Sequence, residues 1–280
     1  VSKRMLPTNL TRYALYALVT LLALPFVFPS AWVLMASFST NTQITMDSLA
    51  LPDRLHVENY THAWTGANFS AFVYNSLAVS GSVTVLIGLL ATMLGYAVAR
   101  LDFPGRRLLL LLIMMAIVTP VFSYLEPLTR VVRHLGLANS RTAVILTTTA
   151  TFLPVPTLLM RSFFLTLPEE LGDAGRVEGA SEFGVFRHIM VPLARSGVLT
   201  VLIFAFLWSW NDLLLPAVFL QAPDKYTIAY AITTLKPAGF RQDHVTMFAA
   251  SIISTGPMIV VYLLLMRRFI AGLTVGGLRG

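Results

Sequence analysis

Few side chains in this 280-residue chain are placed to do chemistry, and those that are point to binding rather than bond-making. Cysteine is absent, which removes thiolate metal sites and disulfides. The five histidines, His56, His62, His134, His188 and His244, form no metal pair at helical spacing, no serine sits in a nucleophile elbow, and no Gly-Lys-Ser/Thr phosphate loop occurs. An intramembrane hydrolase or transferase would lack its reagents. One carboxylate stands out: Asp212 is the only charge between Gly197 and Leu220, with Trp208, Trp210 and Asn211 around it. A carboxylate facing lipid costs roughly 2.5 to 3.5 kcal/mol even on a lenient scale, so Asp212 must face protein or water. Aromatic faces beside amide and carboxylate acceptors suit a polyhydroxylated solute. An interhelical hydrogen bond is the other use for such a group, and both readings stay open. Tyr124 and Glu126, near the end of an earlier apolar stretch, are candidates for the same lining or for interfacial anchors.

The second chemical feature is a polar segment, Leu167 to Ala194, held between two apolar runs. Thr166 stands three residues before Glu169 with Pro168 between them, which predicts a capped helix from about Pro168 that stops at Gly179. Ser181 is placed to cap a second short helix over Glu182 to Met190, and Pro192 should keep that helix from continuing far. Leu171, Ala174 and Glu178 share one face of the first helix, and Phe183 and Phe186 add aromatic area on the second. Such a knob of apolar and acidic groups needs a groove on a partner. Lying on lipid headgroups is the competing use of the same amphipathic pattern.

The elements that must position these residues are membrane spans. Hydrophobic residues make up 56% of the chain and charged ones 12%, with a mean hydropathy of +0.74, far above a soluble domain. Six windows can cross about 30 Å of hydrocarbon: Tyr13 to Phe38, Ala71 to Ala99, Leu108 to Leu125, Thr142 to Leu165, Gly197 to Leu220 and Val245 to Met266. The first contains Pro25 and Pro29 and no evident cleavage site, and reads as a retained span. With both ends inside, 13 of the 20 Lys and Arg fall on the cytoplasmic side, together with the 166–194 loop and the 267–280 tail. The net charge of +7 is therefore a matter of topology, and no nucleic acid is implied. Gly81, Gly88 and Gly95 recur every seven residues and predict close helix contact, with a solute path as the rival use. Pro120, Pro154 and Pro156 should break the helical ladder where protein or a wet cavity covers it. Ser39 to Ser70 and Gln221 to Asp243 are the two sizeable outer segments.

Read from Asp173, the polar segment runs Asp173-Ala174-Gly175, three residues, Gly179, nine residues, Ile189, one residue, Val191-Pro192. This resembles the EAA loop of ABC importer membrane subunits at every spacing, with Asp173, Gly175 and Val191 departing in type. Gly175 in place of Ala should weaken the first helix by up to about 1 kcal/mol. Asn75-Ser76, the run ARLDFPGRR at 99–107, WNDLL at 210–214 and RRFIAGLTVGGLRG from Arg267 are similar to the carbohydrate branch, the maltose-type sugar permeases. The resemblance implies an all-α integral membrane chain with the six-helix type I importer permease fold and cytoplasmic coupling helices. It implies an ATPase-coupling role for Glu169, Glu170, Asp173, Ala174, Gly175, Glu178, Gly179, Ala180, Phe183, Phe186, Ile189 and Pro192, and a tail that extends toward the ATPases. The implied partners are a second permease, two ATPase subunits carrying ATP and Mg, and an extracellular solute-binding protein that meets the Gln221 to Asp243 loop. This chain would hold no cofactor and catalyse no bond change, and its cargo would be a sugar, with glycerol phosphate or another polar solute as the alternative. A passive channel or scaffold is permitted by the spans alone.

Overall fold

In a computed structural model the backbone is described for residues 9–66, 69–234 and 243–276, and every described element is helical. Residues 277–280 of the tail, residues 235–242 of the last outer segment and Asn68 lie outside the described residues. Two compact units are present, 1–67 with 235–253 and 68–234 with 254–280.

The first unit contains α1 (Asn9–Ala36), which carries Pro25 and Pro29 and presents apolar side chains outward along its length. The chain beyond it forms α2 (Asn41–Met46) and α3 (Glu58–Gly66). Thr40 and Gln43 close a reciprocal capping box on α2. Asn59 is buried, and its amide donates to the carbonyls of Ser37 and Ser39, both at 2.9 Å.

In the second unit α4 (Phe69–Arg100) is the hub. Val79, Val83, Ile87 and Ala91 fall on one face at helical spacing, all buried, and that face receives the helices that follow. The glycine stripe is used at two of its three positions. A Cβ on Gly95 would lie 2.9 Å from the backbone nitrogen of Arg161, and one on Gly88 would lie 2.6 Å from Cδ2 of Leu202. Nothing is near Gly81. At Gly95 the backbone of α8 thus approaches α4 to a distance only glycine permits, whereas at Gly88 the neighbour is the movable tip of a leucine side chain.

Three of the expected spans are broken, and proline or aspartate accounts for each break. The Leu108 to Leu125 window is not one helix: α5 (Arg106–Val118) ends before Pro120, and α6 (Val121–His134) leaves at 106°. Thr119 adopts the extended conformation that a following proline favours, so the turn is sharp. Between α7 (Arg141–Phe152) and α8 (Pro154–Thr166) the bend is only 49°, because Leu153 stays helical before Pro154. Gly197 to Leu220 also fails to run continuously. It forms α12 (Arg195–Asn211), an extended residue at Asp212, and α13 (Leu214–Phe219). After α14 (Ile228–Thr234), α15 (His244–Gly276) closes the described chain. Among the described residues three helices, from α1, α4 and α15, are long and apolar enough to cross a membrane alone, and six segments are if each bent pair counts as one.

Candidate coupling site and solute-path residues

The polar segment folds as a two-helix module. Its first helix, α9 (Glu170–Val177), begins two residues later than Pro168. Thr166 does not cap it: that residue ends α8, and its hydroxyl donates to the Phe163 carbonyl at 2.7 Å. Glu170 and Asp173 occupy the first turn, where negative charge meets the positive end of the helix. The stop at Gly179 is a Schellman turn. Its φ is +87°, Gly179 N donates to Arg176 O and Ala180 N to Gly175 O, each at 3.0 Å.

Ser181 caps the second helix as its type predicts, its Oγ accepting from Gly184 N. The helix over Glu182 to Met190 is not a plain α-helix, however. α10 (Glu182–Val185) passes into a π-turn (Phe186–Met190) and then α11 (Val191–Leu193), so the helical path stops one residue beyond Pro192. Val191 N reaches Phe186 O across the wider turn, and Pro192 falls in the next short turn, near a helical start where a missing amide costs little. The path bends by 79° between Leu193 and Arg195 as it enters α12.

Gly175 is where the two helices meet. A Cβ there would lie 2.5 Å from Cδ1 of Ile189 and 3.3 Å from Cγ2 of Val185. The glycine that weakens α9 on propensity therefore lets the π-turn seat against it. Arg176 fastens the outer side: Nε donates to Glu182 Oε1 at 2.5 Å, one terminal nitrogen to Glu182 Oε2 at 3.2 Å, and the other to Asp173 Oδ1 at 2.7 Å. That guanidinium holds the Glu182 carboxyl below the usual carboxylate range.

Arg100 welds the module to the helices above it. Its side chain is 7% exposed and donates to the carbonyls of Phe164 and Leu167 at the end of α8, and to Glu169 Oε1 at 2.9 Å. Arg106 folds back onto Val98 O and Ala99 O, capping α4, and bonds Asp102. The basic residues of the 99–107 run are thus helix-end ligands. Tyr96 lies beneath, its ring 5.1 Å from that of Phe186 and its hydroxyl on Glu182. Arg100, Arg176 and Tyr96 were not singled out from the sequence as coupling residues; the one available signal was Arg176 lying between two acids at short spacing.

Part of what the module leaves exposed is apolar and acidic, while Arg187 and His188 are exposed on its second helix. Val177 is 89% and Phe183 59% exposed, Leu171, Ala174, Glu178 and Ala180 are exposed, and the Phe183 ring lies tilted at 41° to that of Phe186 with centroids 6.0 Å apart. Ile189 turns inward against Gly175.

Three of the candidate solute-path residues, Asp212, Trp208 and Tyr124, meet around the last turns of α7. Asp212 Oδ2 accepts from Thr148 Oγ1 at 3.1 Å, while Oδ1 accepts from the amides of Leu214 and Leu215 at 3.1 and 3.3 Å. The carboxylate therefore caps the start of α13 and ties it to α7. Trp208 lies between Phe204 and Phe152, with centroids 5.5 and 5.8 Å away, and Tyr124 Oη reaches Thr151 Oγ1 at 3.5 Å. Trp210 is buried, stacked on Phe206, and donates to Ser254 O. Asn211 donates to Leu207 O and Met258 Sδ. Glu126 stands apart, in an exposed i,i+4 pair with Arg130. Among the described residues no group of three or more His, Asp or Glu could hold a metal ion.

Broken apolar helices around a long hub, with a polar two-helix module at one end, form the architecture of a membrane transport subunit. Residues 85–275 match the family described as binding-protein-dependent transport system inner membrane component, and the chain belongs to that family. It is similar to the diacetylchitobiose uptake system permease NgcG of Streptomyces coelicolor, 34% identical over 265 residues that cover 94% of this chain and 88% of that protein. The arabinooligosaccharides transport system permease AraQ of Halalkalibacterium halodurans is 35% identical, covering 91% of each chain. The trehalose transport system permease SugB of Mycobacterium tuberculosis is 32% identical, covering 91% of this chain and 93% of its own. A chain in the crystal structure of a bacterial ABC transporter that imports the acidic polysaccharide alginate superposes with a TM-score of 0.80 at 19% identity, covering 95% of this chain and 99% of that one, which shows the shared fold. The protein is an inner-membrane transport subunit rather than an enzyme, and ATP hydrolysis in such systems resides on separate subunits.

Proposed function

We propose that this chain is one of two permease subunits of an ABC importer that carries a sugar, mono-, di- or oligosaccharide, into the cell. The six windows cross the membrane with both termini cytoplasmic, and the 166–194 module faces the cytoplasm. Three relatives that import oligosaccharides or disaccharides, each about a third identical over nearly the whole chain, support the sugar reading. ATP and Mg act on two ATPase subunits, and an extracellular binding protein delivers the solute.

The observation that carries the mechanism is the construction of the module. Exposed Val177, Phe183, Leu171, Ala174 and Glu178 offer the ATPase an apolar and acidic knob. Glu169, Glu170, Asp173, Gly175, Gly179, Ala180, Phe186, Ile189 and Pro192 give that knob its shape. Arg176 makes its two helices one body, and Arg100 joins that body to the ends of α4 and α8. Closure of the ATPases then moves the module as a lever and rocks the spans between inward-open and outward-open states, with ATP supplying the difference in stability. Trp208 and Asp212 lie where such rocking would be felt and Tyr124 reaches the same turns of α7, whereas Trp210 and Asn211 bond to α15 and Glu126, which stands apart, remains a candidate for the path on type alone. Asp212 serves first as the bond that holds α13 to α7.

The absence of cysteine makes the test direct. Single cysteines at Ala180 and Phe183 should crosslink to a cysteine in the ATPase of the assembled complex and resist a membrane-impermeant thiol reagent applied from outside. Labelling from outside, or a module that never reaches an ATPase, would overturn the assignment.

A further inference from the structure

One face of α4 is left outside the core and forms a groove with α12. Val85, Leu89 and Met93, exposed at four-residue spacing, make one wall, and Val198 and Leu202 make the other. Gly88 lies between them, where a Cβ would stand 2.6 Å from Cδ2 of Leu202. Thr92 carries the only hydroxyl among the described lining residues, and it donates to Gly88 O at 2.6 Å. Toward Arg100 the lining passes to Phe183, Phe186 and Arg187 of the polar module, with the Phe186 ring 5.1 Å from that of Tyr96. The groove is therefore apolar along its length and ends at one cation. That cation is uncommitted. Arg100, Arg106 and Arg176 each pair with an acid, whereas Arg187 is exposed and has no ion-pair or hydrogen-bond partner among the described residues. Glu182, the nearest acid before it in the chain, is already held by Arg176.

Dimensions and charge identify what fits. Met93 to Val85 is about 12 Å of helix, so a volume of about 470 Å³ gives a mean cross-section of about 40 Å². A helix with its side chains needs about 80–110 Å², which leaves hydrocarbon chains as the occupant of matching width. Counted from Arg100, the groove lies about 10 to 22 Å along α4, within the hydrocarbon of the cytoplasmic leaflet in the proposed topology, and Arg187 stands at its boundary with the headgroups. We infer that this groove is a binding site for an anionic phospholipid, with an acyl chain between Val85, Leu89, Val198 and Leu202 and the phosphate on the Arg187 guanidinium. The inference rests on the importer reading for its orientation in the bilayer. Phe183 then borders both the lipid and the face offered to the ATPase, so the charge of the leaflet bears directly on the lever.

The complete complex, stripped of lipid in detergent, can be titrated with dioleoylphosphatidylglycerol or dioleoylphosphatidylcholine and the first lipid bound followed by native mass spectrometry. The wild type should bind phosphatidylglycerol about fivefold tighter, the worth of one arginine near an anionic headgroup. Arg187→Gln should remove that preference and Arg187→Lys should retain it. Leu89→Trp, which fills the groove from an exposed position, should weaken both lipids alike. In membranes, the photoreactive p-benzoylphenylalanine in place of Leu89 should crosslink to phospholipid. Equal binding of the two lipids by the wild type, a preference that survives Arg187→Gln, or a crosslink from position 89 to the second permease would overturn the inference. Labelling of Arg187→Cys from outside the cell by an impermeant thiol reagent would instead refute the orientation, and with it the importer reading.

Discussion

Gly179→Val isolates the backbone of the polar module from its contacts. The glycine sits at φ +87° with nothing within 4 Å of where a Cβ would stand, so a side chain there meets no neighbour and the effect is conformational. Holding an L-residue in the left-handed region costs about 1–2 kcal/mol, and a β-branched residue lies toward the upper end. The Schellman bonds, Gly179 N to Arg176 O and Ala180 N to Gly175 O, are the ones that open when the turn relaxes. The Arg176 pairs to Asp173 and Glu182 oppose that opening, but they are half-exposed and each contributes up to about 1 kcal/mol. Hydrogen exchange on the reconstituted complex should therefore show protection at the amides of residues 179 and 180 falling about 5- to 30-fold. Solute imported per ATP hydrolysed should fall with it, because a loosened turn absorbs part of the stroke. Gly179→Asn, whose side chain tolerates positive φ, should lose far less of both. Equal losses in Val and Asn would refute the conformational argument. Faster exchange in the Val variant with wild-type import per ATP would refute the lever.

Gly95→Ala should destabilise the detergent-solubilised protein by about 1–3 kcal/mol in thermal unfolding, because its Cβ meets the backbone of α8, whereas Gly88→Ala, which meets only the tip of Leu202, should cost less than about 1 kcal/mol. Arg100→Gln should leave the carbonyls of Phe164 and Leu167 short of donors, cost about 1–3 kcal/mol and loosen the module, seen as faster proteolysis at residues 167–170; wild-type protease resistance would contradict the weld. Asp212→Leu should impair assembly and Asp212→Asn should preserve it if capping α13 is the first duty, since the amide oxygen still accepts; equal defects would point to the charge itself. Arg176 depresses the Glu182 pKa, so the pair adds stability that is fully present above the unfolded carboxylate pKa and is lost as pH falls through the lower folded value; crosslinking between cysteines placed on α9 and α10 should become less uniform over that acidic window, and Glu182→Gln should abolish the pH dependence.

The polar module was legible in the sequence wherever local chemistry decides. Gly179 supplies the positive φ that ends a helix, and Ser181 supplies the oxygen that starts the next. Both act within four residues, so the chain order is enough to find them. Local signals also misled at that scale. Thr166 has the right type and spacing for a cap, but the C-terminal turn of α8 claims its hydroxyl. Pro192 does limit the second helix, which stops at Leu193, but the π-turn before it was not read from the sequence.

The apolar composition and the long apolar helices follow from the lipid solvent, which acts along the whole chain, and the sequence alone determined them. The tertiary structure decided which breaks are sharp, because the backbone at Thr119 and Leu153 answers to packing as well as to the proline that follows. It also decided the meaning of Gly175, weak on propensity but closely packed beside Ile189 and Val185, and of Gly81, part of a perfect stripe with nothing within 4 Å of its Cβ position. Asp212 is the plainest case. Its cost in an apolar span was evident from the residue alone, but its partners lie 64 residues back at Thr148 and in the amides of a helix that exists only because the span breaks there. Local order determines caps and turns because their partners are neighbours in the chain, whereas the use of a buried polar group waits on the fold that brings a distant partner to it.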